Sequence, residues 1–312
     1  MIIKLGGLRV GLESDDAVIN DAWRLLFDGW PLLGDGDVDV QLSLALVNKV
    51  DAPASQATFT DPLNILNTYA GDGDNLSLHY PDGALISLSL RTNTSRATGI
   101  LTTAAMKNGR FEDITYTSLA PLLRRHGLFL IHAFGAAKNG RAILIVAASH
   151  QGKTTTGLSL ILDGWELLSN DAVLLQKRND AIYALPAPGN IGIRQPSLAL
   201  LPALGRWVEG KTAVNGAYDL TGGMVINSRW ATPALVTTIT FPHIADQPTS
   251  RLTARNSALS LAALMVESVD RWDEPMLSAH IALLRQLSQQ ANTHTLHLGR
   301  DVAALPALLN EL

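Results

Sequence analysis

Four side chains are of types that phosphate chemistry uses: His132, Lys153, Thr154 and Asp171. Lys153 and Thr154 close the run Ala147-Ala148-Ser149-His150-Gln151-Gly152-Lys153-Thr154. That run follows the apolar stretch Ile143-Leu144-Ile145-Val146 and precedes a helical pattern, which is the context a phosphate-binding loop requires. Backbone N–H groups of such a turn point at a polyphosphate, and the dipole of the helix behind them favours negative charge. Lys153 would supply a cation for the β and γ phosphates and the Thr154 hydroxyl a ligand for Mg²⁺. The expected nucleotide is ATP, bound by Ser149, His150, Gln151, Gly152, Lys153, Thr154 and Thr155.

The motif is relaxed. Ala147 stands where the first glycine is usual, and His150-Gln151 fill a stretch where small residues are common. The other reading is a Gly-Lys-Thr tripeptide at an ordinary strand-to-helix turn. Asp171 ends a short strand after the loop's helix, where an acid can hold Mg²⁺ or orient a nucleophile. With His132 beside it, Asp171 could take the proton of a substrate hydroxyl. Read separately, His132 is a hydrogen-bonded strand histidine and Asp171 a turn or cap residue.

The elements that must position these residues are legible in outline. Val38, Val40, Leu42, Leu44 and Leu46 alternate with smaller or polar residues, the period of a half-buried strand. Leu76–Tyr80 and Ile86–Leu90 flank the turn Pro81-Asp82-Gly83. Asp51–Gln56 and Gly71–Asn75 read as loops, and Ala17–Phe27 as a short helix. A helix carrying Leu119, Leu122 and Leu123 should stop near Gly127. Two apolar runs, Leu128–Ala137 and Arg141–Ala148, are joined by Lys138-Asn139-Gly140, a strong hairpin signal. The strand entering the loop is therefore expected to pair antiparallel with its predecessor, which would carry His132. Beyond the loop come a helix over Thr155–Leu162, and strands at Trp165–Leu168, Ala172–Gln176, Ala181–Leu185 and Ile191–Arg194. Helices at Ser257–Val269 and Met276–Ala291, a strand at Thr293–Leu298 and a helix at Val302–Leu309 complete the chain.

Composition narrows the chemistry. The 312 residues are 47% apolar and 17% charged, as in a globular protein. The chain has no cysteine, which excludes disulfides, thiolate metal sites and cysteine nucleophiles. A formal charge of −4 gives no global attraction to nucleic acid or anionic lipid. No apolar run approaches the roughly 20 residues of a membrane span, and the start lacks a secretion signal, so a cytoplasmic protein is expected. The six tryptophans read as packing residues rather than a ligand cage. His294 and His297 fall on opposite faces of one strand and make a poor metal pair. The segment Gly205–Gly223 reads as a connector, with a substrate-facing loop as the alternative.

The set His132, Lys138-Asn139-Gly140, the loop to Thr154, Asp163-Gly164-Trp165 and Asn170-Asp171 resembles the HPr serine kinase/phosphorylase family, related in fold to phosphoenolpyruvate carboxykinase. The resemblance covers Leu119–Arg194, with a weaker echo over Leu296–Leu312. The expected fold is α/β: a β-rich N-terminal subdomain (1–117), read from its strand patterns, then a mixed-sheet P-loop core (118–312) of the type the resemblance implies. The resemblance also implies His132 as an active-site histidine, Lys153 on the phosphates, Thr154 on the metal, and Asp171, by its place at the strand end a metal ligand too, as the acceptor of the hydroxyl proton. The chain departs from the family at Asn170, where the first acid of a pair is usual. It departs again at Gly192, in Ile191-Gly192-Ile193-Arg194-Gln195, where a metal-binding glutamate belongs. Arg194, Arg206 and Arg229 are all candidates for a later arginine of the family.

These features imply ATP-dependent phosphorylation of a serine hydroxyl on a small protein or peptide by a divergent relative. The other readings are a nucleotide-binding scaffold or sensor without transfer activity, and a phosphate- or sulfate-binding structural protein. No nucleic-acid or membrane partner is expected. The oligomeric state is left open, a homo-oligomer included.

Overall fold

The computed structural model describes residues 1–71, 74–91, 95–107, 109–226 and 230–312. The chain divides into two compact units. The first comprises Met1–Leu26, Trp30–Leu128 and Asp270–Leu277, and the second Phe27–Gly29, Phe129–Val269 and Ser278–Leu312. Among the described residues no helix is long and apolar enough to cross a membrane.

The first unit is built on one mixed sheet. Its strands are β1 (Ile2–Leu5), β2 (Leu8–Glu13), β3 (Val40–Leu46), β4 (Phe59–Thr60), β5 (Asn67–Ala70), β6 (Asn75–Tyr80), β7 (Ala84–Ser89) and β8 (Ser95–Leu101). They lie in the order β1-β2-β3-β8-β7-β6-β5-β4. The β2–β3 and β3–β8 pairs are parallel, and β6–β7 is the antiparallel hairpin its turn chemistry predicts. Alternation in β3 buries Val40, Leu42 and Leu44, as the period of two requires. Helix α1 (Ala17–Leu26) buries Ile19, Trp23 and Leu26. Helix α2 (Arg110–Arg125) is longer than its leucines suggest, continues through Pro121, and is followed by Gly127 at φ +75°.

The second unit carries the candidate site residues. Its strands and helices run β9 (Leu128–His132), β10 (Phe134–Lys138), β11 (Arg141–Ile145), α3 (Lys153–Leu162), β12 (Glu166–Ser169), β13 (Ala172–Arg178), β14 (Ala181–Leu185) and β15 (Asn190–Arg194). There follow α4 (Gln195–Leu200), α5 (Gly205–Val208), β16 (Ala217–Thr221), α6 (Gly222–Val225), β17 (Ala234–Ile244), β18 (Arg251–Ala254) and α7 (Ser257–Ser268). The chain ends with α8 (Glu274–Gln290), which belongs to this unit from Ser278 onward, then β19 (Asn292–Leu298) and α9 (Leu305–Asn310). The main sheet runs β12-β10-β11-β17-β14-β13-β9, with β19 joining β17 and β18 joining β19.

This sheet is mixed for a local reason. Asn139 and Gly140 both take positive φ, 52° and 76°, and close Lys138 against Arg141 in a two-residue hairpin. Strand β11 therefore pairs antiparallel with β10, while its other edge pairs parallel with β17. The apolar run Leu128–Ala137 is not the single strand it reads as. It breaks at Ala133, whose N–H bonds the carbonyl of Asp171, so β9 and β10 sit at different places in the sheet. Gly205–Gly223 is likewise not one loop: it holds α5, β16 and the start of α6, and β16 pairs with β15.

Candidate functional site

The turn at the end of β11 is set by two positive-φ residues, His150 (67°) and Gly152 (89°). A Cβ at Gly152 would stand 2.5 Å from Leu298 at the end of β19, so backbone conformation and space both call for glycine there. Ala148, Ser149, His150 and Gln151 are exposed, whereas Lys153, the first residue of α3, is buried. Among the described residues the amides of Ser149, His150 and Gly152 donate to no protein acceptor; only Gln151 N–H reaches back, to Ala148 O at 3.4 Å. The turn thus presents unpaired donors at a helix N-terminus.

Helix α3 is drawn against β10 because residue 157 has no side chain. A Cβ on Gly157 would come within 2.3 Å of the Phe134 ring. At its other end Gly164 N–H bonds Ile161 O and Trp165 N–H bonds Leu160 O, a Schellman stop with Gly164 at φ +88°. The Asp163 cap is tied to Lys138 (3.1 Å) and Asn310 (3.2 Å). With both ends held, the first turn of α3 has a fixed place.

His132, Lys153 and Asp171 converge. Lys153 Nζ lies 2.5 Å from Asp171 Oδ1 and 2.5 Å from His132 Nε2. His132 comes from the end of β9 and Asp171 from the β12–β13 turn, and the Ala133–Asp171 backbone bond links the two segments. Burial holds the His132 pKa below the ordinary histidine value; the Lys153 charge pushes it further down and Asp171 partly offsets this. A neutral imidazole accepting from Lys153 at Nε2 carries its proton on Nδ1.

A second chain of contacts runs through Asn170. Thr154 Oγ1 donates to Asn170 Oδ1 (3.2 Å), while Asn170 Nδ2 donates to Asp171 Oδ2 (2.9 Å) and to Asn190 O (3.1 Å). The Thr155 hydroxyl is engaged with Ser197 at 2.7 Å. Residue spacing gave no sign of the Asn190 or Ser197 contacts, since the partners come from β15 and α4, which lie well beyond α3 in the chain.

The remaining expected positions form no hydrogen bond or ion pair with His132, Lys153 or Asp171 among the described residues, although β15 reaches Asn170 through Asn190. Gly192 lies on β15 opposite Asp219 of β16, whose Oδ1 would be 3.8 Å from a Cβ at residue 192. Arg194 is exposed at the end of β15, Arg206 lies over the Trp207 ring on α5, and Arg229 falls outside the described residues. His297 meets His243 edge-on and bonds Thr253 rather than joining His294. Among the described residues no group of three or more His, Asp or Glu side chains could hold a metal ion.

No family model matches the chain, and no curated protein matches it. Among solved structures it is similar to the Hpr(Ser) kinase/phosphatase from Coxiella burnetii, at 14% identity over 58% of this chain and 94% of that one. The TM-score of 0.31 is too low to establish a common fold.

Proposed function

We propose that the second unit binds the phosphates of ATP in the turn Ser149–Thr155 and transfers the γ-phosphate to a serine hydroxyl of a small protein or peptide. The observation that carries this reading is the convergence of His132 and Asp171 on Lys153 at the N-terminus of α3. A buried ammonium beside unpaired turn amides suits a polyphosphate. An acid that is half exposed beside it suits an incoming hydroxyl. The motif over Ala147–Thr154 and its resemblance to the HPr serine kinase/phosphorylase family support the same reading.

In the proposed step the serine oxygen forms a bond to the γ-phosphorus and the bond from that phosphorus to the bridging oxygen breaks, leaving ADP. The serine proton passes to Asp171. Lys153, which donates to Asp171 and His132 in the unliganded protein, turns part of its donor capacity to the phosphate oxygens. Neutral His132 keeps the ammonium aligned without adding positive charge. The Thr154 hydroxyl and the Asp171 carboxylate are the donors that would hold Mg²⁺. They fit a cation that brings phosphate and water oxygens with it, since one hydroxyl and one carboxylate do not fill six positions. Bound Mg²⁺ would neutralise charge on the β and γ oxygens.

A second reading, nucleotide binding without transfer, is favoured by one observation: the residue beside Asp171 is the neutral Asn170. Thermal melting with ATP, with and without Mg²⁺, separates the two. A ligand that binds only the native state raises the melting temperature. The transfer reading predicts a shift that grows with Mg²⁺, the scaffold reading a shift indifferent to it. No shift at millimolar ATP would sink both.

A further inference from the structure

Asn170 is 5% exposed, and all of its side-chain hydrogen-bonding groups are used. Its two N–H bonds go to a carboxylate and a backbone carbonyl, neither of which can donate. Rotating the amide by half a turn would set oxygen against oxygen at both, so its orientation is fixed by its partners. Two consequences follow. The Thr154 proton is committed to Asn170 Oδ1, which leaves the hydroxyl lone pairs free. The Asp171 carboxylate is held at both oxygens, Oδ1 by Lys153 and Oδ2 by Asn170.

Charge then decides what the site can hold. Lys153 and Asp171 cancel formally, Asn170 adds nothing, and His132 is neutral. An aspartate at position 170 would instead put a second negative oxygen near Asp171 Oδ2 and beside the Thr154 hydroxyl, a donor set for a hard cation. We propose that Asn170 is the positioning residue of this site: a neutral bridge that orients Asp171 and Thr154 and leaves too little negative charge to hold a divalent cation without a polyphosphate. The polyphosphate half rests on the nucleotide reading above; the metal half does not. The divalent cation therefore enters with the nucleotide, never ahead of it.

The test is Mn²⁺ binding to the full chain without nucleotide, read from loss of the aqueous Mn²⁺ paramagnetic resonance signal. Wild type and Asn170→Ala should show no saturable binding at millimolar metal. Asn170→Asp should bind at least about tenfold more tightly than wild type, because ligand charge sets affinity at such sites. Where Asn170→Asp melts early, Mn²⁺ present during refolding should restore its transition. The proposal is overturned if wild type binds Mn²⁺ as tightly as Asn170→Asp, if Asn170→Ala gains metal equally, or if Asn170→Asp gains nothing or stays unfolded with metal. Loss of the ATP melting shift in wild type would remove the nucleotide reading and leave these metal outcomes untouched.

Discussion

At the residue scale, Lys153 joins the acid and the histidine, so each can be removed with a different consequence. Asp171→Asn takes away the proton acceptor but keeps the loop amides and the ammonium. It should retain ATP binding while phosphate transfer falls by about a hundredfold or more, the range of a general base. Parallel binding and single-turnover assays check this, and unchanged transfer would remove Asp171 as the base. His132 makes a separate prediction. Its folded pKa lies below the ordinary value, whereas the unfolded chain protonates at about 6.5. Below that pH unfolding takes up a proton, so stability should fall as pH drops through the window beneath 6.5. His79, His294 and His297 are shifted in the same direction, so the comparison must be with His132→Gln, which should flatten part of the slope. An equal slope in both proteins would contradict it.

Lys153, Thr154, His132 and Asp171 were legible because each has a chemistry that its neighbours in sequence reinforce. Asn170 was legible only as a departure from a pattern. Its role depends on the Asn190 carbonyl, and a backbone acceptor from a distant strand leaves no mark in residue type.

At the element scale, the hairpin of β10 and β11, the helix α3 and the strands β12 to β15 follow from turn residues and apolar runs. Strand β17 does not. Its sequence sets Thr237 beside Thr238 and contains Pro242, so neither alternation nor an apolar run marks it. Yet β17 pairs with β11, β14 and β19, and buries Thr238 and Thr240 as well as Ile239 and Phe241. A strand whose successive residues are buried is covered on both faces and need not show the apolar/polar alternation of a half-exposed strand. The break at Ala133 was hidden for the opposite reason: an unbroken apolar run carries no stop signal. The packing of α3 on β10 gives the prediction at this scale. Gly157→Ala forces a methyl into the Phe134 ring and should destabilise the protein by about 1–3 kcal/mol, as overpacking does. Urea unfolding measures it, and no loss would mean that α3 stands off the sheet.

For the whole molecule, the division into units is not one cut in the chain. Phe27–Gly29 belongs with the second unit and Asp270–Leu277 with the first. The return segment is held by charge. Arg124, buried on α2, bonds Asp273 (2.8 Å) and Asp270 (2.6 Å), and Arg125 also reaches Asp273 (3.0 Å). Such a pairing joins residues nearly 150 positions apart and cannot be read from either stretch alone. Asp273→Ala would leave the Arg124 guanidinium buried with half its compensation lost, and should destabilise the fold by about 3–5 kcal/mol. Chemical denaturation checks this, and a loss under about 1 kcal/mol would place the pair among weak surface bridges.

The central claim is that the turn ending in Gly152-Lys153-Thr154 holds the phosphates of ATP, and it is tested most directly by calorimetric titration of ATP with Mg²⁺ into wild type and Lys153→Ala. The account predicts saturable one-site binding to the wild type. It also predicts a loss of at least about tenfold in the variant, the 1.4 kcal/mol expected at the least when a charge-assisted contact to phosphate is removed. Equal affinity in the two proteins, or no heat of binding to the wild type at millimolar ATP, would contradict it.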